Sequence, residues 1–358
     1  MIRLAFVGAG AVVEEEHLPA VHGLRGVRVV AVADPDPVRL ERVAGRFRIP
    51  QRFRDVDALL AGSELDAVAV CVPAGVHRQV ALPALAAGKH VLIEKPPCLS
   101  LDDVDAMIAA AQRTRAKVMV GYHMRWHRLV RRAAALLRSN VVGPLESVRV
   151  VWYGPRDDVN LPPWRARRDL GGGALVETAV DHFDLLRFLI GAEIEEIFAL
   201  SRSGQRDDEA AVVSAVFANG VLGSAAFSER TTEDIEFEVC GLAGRLRVCC
   251  ARAEGLALYA SGTNPASPRS RLRRLPDVLA ALPRGLANLR TGGDFKVSYR
   301  QEWRHFVDAI TNDTPVGCTL QDGRAALQTA LAAVQSAAEH RPVRLADAAR
   351  TIAPVAHA

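Results

Sequence analysis

The sequence predicts an α/β protein, with a doubly wound parallel sheet at the amino end and then a second α/β region rich in antiparallel strand. Three observations predict it. Over roughly the first 120 residues, short apolar runs alternate with helical stretches, the pattern of repeated βαβ units. A glycine turn, Gly8-Ala9-Gly10, follows the first of those runs directly. Beyond residue 190 the chain changes to alternating or β-branched runs separated by turn dipeptides. A length of 358 residues leaves room for two cored domains. We place them at 1–122 and 123–345, with 346–358 as a tail.

Composition narrows the function classes. Hydrophobic residues make up 49% and charged residues 24%, the balance of a soluble globular protein. A net charge of +4 with no long basic stripe argues against nucleic acid as the main partner. The six cysteines show no Cys-x-x-Cys spacing, so no metal is expected and a reduced cytoplasm is the simpler setting. No apolar run reaches the roughly 18–20 residues that span a bilayer, so no membrane partner is expected. The apolar start, residues 2–7, runs into glycines and then Glu14-Glu15-Glu16, which suits a buried strand better than a signal peptide.

Taken in order, residues 2–7 read as a strand buried on both faces. Gly8 permits a tight turn, and Gly10 lets a pyrophosphate approach the backbone. Ala11, Val12 and Val13 then open a helix whose free N–H groups favour phosphate charge. Val13 stands where the usual third glycine would be, and Gly-x-Gly by itself also marks ordinary turns. The second strand, 27–33, ends at Asp34. An acid there is placed to bind both ribose hydroxyls of NAD and to repel the 2′-phosphate of NADP. The alternative is an N-cap for the helix from Val38. No base follows Asp34 immediately.

A third buried strand, 66–72, runs to Cys71 and Val72, and Pro73 ends it. His77 precedes a helix that closes at Gly88. The next strand ends in Ile93-Glu94-Lys95-Pro96. Ligands collect at the carboxyl ends of strands in such sheets. A partly desolvated lysine there can exchange a proton or hold a hydrogen bond on a reacting oxygen. A helix from 101 to 115 and a strand from 117 to 121 complete the first region.

These residues carry a resemblance. Gly8-Ala9-Gly10, Asp34, Cys71-Val72-Pro73 with His77, Ala87-Gly88-Lys89-His90-Val91 and Glu94-Lys95-Pro96 make the chain similar to the Gfo/Idh/MocA family, the glucose–fructose oxidoreductase and inositol dehydrogenase group. The resemblance runs from residue 1 to about 345. It implies a nicotinamide-binding Rossmann domain followed by an α/β domain with a large, open, mostly antiparallel sheet, and a homodimer or homotetramer. It also implies that Lys95 lies beside the nicotinamide and the reacting carbon.

The rest of the site is read against that resemblance. Tyr122-His123-Met124-Arg125-Trp126 resembles the family's Gly-Tyr-Asn-x-Arg-aromatic junction, with His123 in place of asparagine. Trp164 and Arg165 fall in a region that lines the family's substrate pocket. After Gly171-Gly172-Gly173, a helix carries Glu177, Asp181 and Asp184 on one face by i, i+4, i+7 spacing. In the family pattern the middle position is a histidine that accepts the substrate's proton. Here it is Asp181, and His182 follows one residue later, about 100° around a regular helix. Three readings stay open. Asp181 is the base, with its pKa raised by burial beside Glu177. Or His182 reaches the site because the helix start is distorted. Or His182 is structural and proton transfer rests on Lys95.

Strands are expected at 195–199, 210–217, 221–228, 236–241 and 245–250, with Asn219-Gly220 and Ala243-Gly244 as hairpin turns. Residues 262–293, rich in Pro, Gly and Arg, read as an irregular insertion, and helices are expected at 299–310 and 321–338. The reading as a whole is an NAD-dependent oxidoreductase, with NADP the weaker candidate, acting on a secondary alcohol or carbonyl of a sugar, cyclitol or related polyol. The alternatives are a dinucleotide-sensing regulator and an enzyme that uses NAD transiently for elimination or glycosidic cleavage.

Overall fold

In the computed structural model, residues 1–155, 162–264 and 293–351 are described, with residues 267, 268, 272, 279 and 283 between the last two stretches. The arginine run 269–274, apart from Leu272, and residues 352–358 lie outside the described residues.

The first sheet has six parallel strands in the order β3-β2-β1-β4-β5-β6. They are β1 (Ile2–Val7), β2 (Val27–Ala33), β3 (Gln51–Phe53), β4 (Ala67–Val70), β5 (His90–Glu94) and β6 (Val118–Gly121). Valine and alanine dominate because both sheet faces are covered by helices. Every residue of β4 and β6 is buried. Helices α1 (Leu18–Val21), α2 (Pro37–Phe47), α3 (Val56–Gly62), α4 (His77–Ala86) and α5 (Leu101–Gln112) make the crossovers. The order of strands reverses between β1 and β4, the crevice where such sheets bind ligands. Register lines up the strand ends. Val7 pairs with Ala33 and Val70, and Val70 with Ile93. Gly8, Asp34, Cys71 and Glu94-Lys95 therefore emerge along one edge.

Sequence reading had passed over β3 and α3. β3 has three residues, none of them buried, so it carries no apolar run to read. The N-cap of α2 is Asp36, whose carboxylate accepts from the Val38 and Arg39 amides, and not Asp34.

The second sheet has eight strands in the order β13-β12-β11-β7-β10-β9-β8-β14. These are β7 (Leu145–Pro155), β8 (Ile194–Arg202), β9 (Ala210–Phe217), β10 (Leu222–Ser228), β11 (Arg230–Gly241), β12 (Gly244–Cys249), β13 (Leu256–Ala260) and β14 (Val343–Arg344). Only the β7–β10 pair is parallel. Gly241 pairs with Gly244, so the hairpin turn is Leu242-Ala243 rather than Ala243-Gly244. Alternation in β9 buries Ala211, Val213, Ala215 and Phe217 on the inner face. That face is packed by α7 (Ala179–Ile190) and by the last long helix, α9 (Leu320–Glu339). A 3₁₀ turn, His123–Trp126, and helix α6 (Arg128–Arg138) join the two sheets. Helix α8 (Gly293–Thr311) returns to pack on that turn and on α1.

Candidate active site

The glycine turn fits a dinucleotide. Gly8 has φ +100°, and a Cβ there would collide with the Cys71 carbonyl oxygen, so only glycine is accommodated. A Cβ on Gly10 would meet no heavy atom within 4 Å, which leaves its backbone open to a pyrophosphate. Ala11 is exposed, Val12 half-buried and Val13 buried, and the helix enters through a π turn, Val13–His17. Asp34 is buried at the strand edge. Its carboxylate accepts from Ala9 N at 2.8 Å and Asp36 N at 2.9 Å. Arg39, one turn into α2, brings Nη1 to 3.5 Å from Asp34. Sequence reading missed it because only the residues next to Asp34 were considered.

His77 is buried, and its ring nitrogens lie 2.7 Å from the Val72 carbonyl and 3.1 Å from the Pro97 carbonyl. It braces the Cys71-Val72-Pro73 segment against the turn that carries Lys95. Glu94 is also held. Trp303 Nε1 donates to His17 Nδ1 at 3.0 Å. An indole N–H can only donate, so the His17 proton is on Nε2 and is donated to Glu94 Oε1 at 2.8 Å. Glu94 Oε2 accepts from the Lys95 amide at 3.0 Å. Burial works against the Glu94 charge, but His17 and Lys95 outweigh it and hold its pKa below the ordinary carboxylate value.

Lys95 projects from this turn into a cavity. Met124, Trp152, Ile235, Phe295 and Tyr299 line its walls, together with His123, Arg165, Glu177, Thr178, Asp181 and His182. Lys95 Nζ donates to the Glu177 carbonyl at 2.7 Å and lies 3.0 Å from Asp181 Oδ2. Burial opposes the ammonium, yet Asp181, Glu177 and Glu94 together raise its pKa. Burial likewise pushes Asp181 up, and Lys95 restrains it, leaving a pKa of about 7. Asp181 Oδ1 is buried with no hydrogen-bond partner among the described residues.

The helix carrying these residues does not start as a regular α-helix. Ala174–Thr178 is a π turn, and α7 proper begins at Ala179. Its three acids part company. Glu177 Oε1 meets Arg165 Nε at 2.9 Å, Asp181 meets Lys95, and Asp184 is bound by Arg125 through two contacts of 2.6 Å. Both Asp181 and His182 line the cavity. The regular-helix expectation, which turned His182 aside, is thereby corrected.

The substrate-side residues divide. His123 lines the cavity, stacked on Tyr299 with centroids 4.2 Å apart and Nδ1 2.8 Å from Ser298 Oγ. Burial drives its pKa to about 3. Arg165 lines the cavity, while Trp164 lies beneath its guanidinium at 5.3 Å. Arg125 is not brought to the cavity, being spent on Asp184, Asp322 and the Gly317 carbonyl. Sequence reading did not single out Trp152, Phe295, Tyr299, His17 or Trp303. They come from elements far apart in the chain, and no spacing rule identifies them as neighbours of one site.

A glycine turn at the switch point of a parallel sheet, beside a lysine–carboxylate pair in a cleft, defines a nicotinamide-dependent oxidoreductase. Residues 2–122 match the oxidoreductase family with an NAD-binding Rossmann fold, and residues 130–247 match the carboxyl-terminal domain of the same group. The chain belongs to the Gfo/Idh/MocA family, and its first domain is that family's NAD-binding Rossmann fold. It is 25% identical to myo-inositol 2-dehydrogenase of Thermotoga maritima over 97% of this chain and 99% of that protein. It is 30% identical to 1,5-anhydro-D-fructose reductase of Ensifer adhaerens over 69% of this chain and 75% of that protein. It shares its fold with scyllo-inositol dehydrogenase of Lactobacillus casei, solved with NAD(H) and scyllo-inositol (TM-score 0.79, 21% identity, 97% and 99% of the two chains covered).

Proposed function

We propose that this protein interconverts a secondary hydroxyl and a carbonyl on a sugar, cyclitol or related polyol. The observation that carries the reading is the Lys95–Asp181 pair, at 3.0 Å, in a cleft at the carboxyl edge of the NAD-binding sheet. The polyol dehydrogenases and reductases among its relatives support the substrate class.

Bound NAD supplies the acceptor for the hydride leaving the alcohol carbon. The chain's own residues manage the proton. The ionised Asp181, a residue of the cavity wall, takes the hydroxyl proton at Oδ1, the oxygen without a partner among the described residues. Lys95 holds the other oxygen, Oδ2, and the Glu177 carbonyl fixes the ammonium, so that Lys95 can stabilise negative charge on the reacting oxygen. The same groups run the reduction in reverse. His123, Trp152 and Tyr299 line the binding cavity.

Residues 1–122 form the cofactor domain in this reading, and residues 123–345 the substrate domain, in a cytoplasmic homo-oligomer. The exposed apolar residues Val212 and Val216 of β9 and Leu222 of β10 support an assembly through the outer sheet face. Among the described residues no helix is long and apolar enough to cross a membrane.

The test is to incubate the purified chain with NAD or NADP and a panel of sugars and cyclitols while following nicotinamide absorbance. NADH formation with at least one polyol is expected. Tight NADH binding without turnover of any polyol or keto-sugar would sink the reading.

A further inference from the structure

The mechanism above leaves His182 without a role. Its side chain is 4% exposed and lines the same cavity as Lys95 and Asp181. His182 Nδ1 lies 3.0 Å from the Thr178 carbonyl oxygen, one helical turn back. A carbonyl only accepts, so Nδ1 carries the ring proton and Nε2 of the neutral ring keeps its lone pair. Nε2 is buried and meets no donor among the described residues. With Nδ1 tied to its own helix, the Nε2 edge faces away from that helix. The rings of Trp152 and Phe227 flank the imidazole edge-on, with centroids at 6.5 and 5.4 Å, and hold its orientation. Thr178 is anchored in turn, its hydroxyl donating to the buried Glu229 at 3.2 Å.

Burial lowers the pKa of this ring to about 4, so it is neutral at physiological pH and can only accept through Nε2. It is also a weaker base than Asp181, whose pKa is about 7, so a substrate proton is taken by Asp181. A buried acceptor left unsatisfied is destabilising, and a donor on a bound substrate removes that cost. Asp181 Oδ1 and His182 Nε2 are thus two buried acceptors, without partners among the described residues, on consecutive residues of one cavity wall. One serves the reacting hydroxyl, which leaves the other for a second donor.

We propose that His182 determines specificity: Nε2 accepts a hydrogen bond from a second, non-reacting hydroxyl of the substrate, so the site selects polyhydroxylated molecules over mono-alcohols. The proposal rests on the reading of Lys95 and Asp181 as a polyol-oxidising pair, and its test separates the two.

The full chain, labelled with ¹⁵N at histidine and saturated with NADH, is titrated with myo-inositol, D-glucose and 1,5-anhydro-D-glucitol, and with cyclohexanol as a mono-alcohol control. The His182 signals are assigned by their loss in His182→Gln. The expected result is an upfield move of the Nε2 resonance with a polyol and none with cyclohexanol. A silent Nε2 with all three polyols overturns the proposal, as does an equal response to cyclohexanol. The same polyols are assayed separately with NAD. Oxidation with a silent Nε2 removes the His182 subsite and leaves the proposed function standing. A shifted Nε2 without oxidation does the reverse. In kinetics, His182→Phe keeps the ring shape without the acceptor, and His182→Gln keeps an acceptor. The Phe variant should lose roughly tenfold or more in kcat/KM for the oxidised polyol, mainly through KM, with NADH affinity unchanged and much of the loss restored in the Gln variant. Equal losses in both variants mark a structural ring and overturn the proposal.

Discussion

At the scale of single residues, Asp181 stands where the family pattern has a histidine, and the proposed mechanism makes it the proton acceptor, a role its surroundings favour. An exposed aspartate titrates near 3.9 and is a weak base at neutral pH. Burial lifts Asp181 to about 7, while Lys95 keeps it from rising further. The carboxylate is the form that accepts a proton, so kcat/KM for oxidation should rise with pH through about 7. In Asp181→Asn that inflection should vanish, with turnover down roughly 10²–10⁴, the range for a positioned acid–base group. Lys95→Ala should fall in the same range while binding NADH nearly as well as the unmodified chain. Near wild-type turnover in either variant would remove that residue from the mechanism. In the proposed reading Asp34 holds the other end of the cofactor. NADH should bind more tightly than NADPH in a fluorescence titration, and Asp34→Ser should narrow the gap, since the buried carboxylate that repels a 2′-phosphate is gone and Arg39 keeps only Asp36 as a carboxylate partner. Equal affinities in the unmodified chain would take Asp34 out of its assigned role. Lys95, Asp34 and the register that puts Asp181 at the family's base position could all be read from short motifs in the sequence. That His182 shares the cavity stood in the sequence only as one of three open readings, because a regular helix turns consecutive residues about 100° apart.

Elements set how the pair as a whole is turned: Asp181 and His182 both lie in the regular helix α7, after its π turn, so the angle between them is unchanged and the two are re-aimed together. Two π turns, Val13–His17 and Ala174–Thr178, open the helices that face the cofactor edge and the cavity. A π turn inserts a residue into the helical repeat and re-aims the side chains that follow, and it is often found at functional sites. No residue type announces one, so the sequence could give the helix without its distorted first turn. The glycine turn was legible because its requirement is steric and local. Gly8→Ala should therefore weaken NADH binding strongly, since the new Cβ meets the Cys71 carbonyl and the backbone is at φ +100°. Gly10→Ala adds a Cβ that meets no protein atom. Any loss of NADH affinity in that variant reports on the cofactor directly. If Gly8→Ala bound NADH as well as the unmodified chain, the turn would not be the pyrophosphate cradle.

Across the whole molecule, the site depends on chain returning from far away. Helix α8 supplies Phe295 and Tyr299 to the cavity and Trp303 to the His17–Glu94 chain behind Lys95. Local periodicity predicts that such a helix exists but carries no information about which distant element it covers. The same helix buries Glu302 completely, and neither carboxyl oxygen has a hydrogen-bond partner among the described residues. Burial first, and then the charges of Glu94 and Asp181, raise its pKa well above the ordinary carboxyl value of 4.5. In the unfolded chain Glu302 ionises near that ordinary value, while in the folded protein it keeps its proton. Its contribution to stability is then fully present below about pH 4.5 and is lost progressively as pH rises toward the folded pKa. Glu302→Gln preserves the shape and removes the ionisation. The variant should melt at a higher temperature than the unmodified chain at pH 8, and the gap should shrink as pH is lowered toward 5. A melting-temperature difference that is constant from pH 5 to 8, or of opposite sign at pH 8, would mean that Glu302 is ionised in the folded protein and finds its compensation in the bound dinucleotide or solvent.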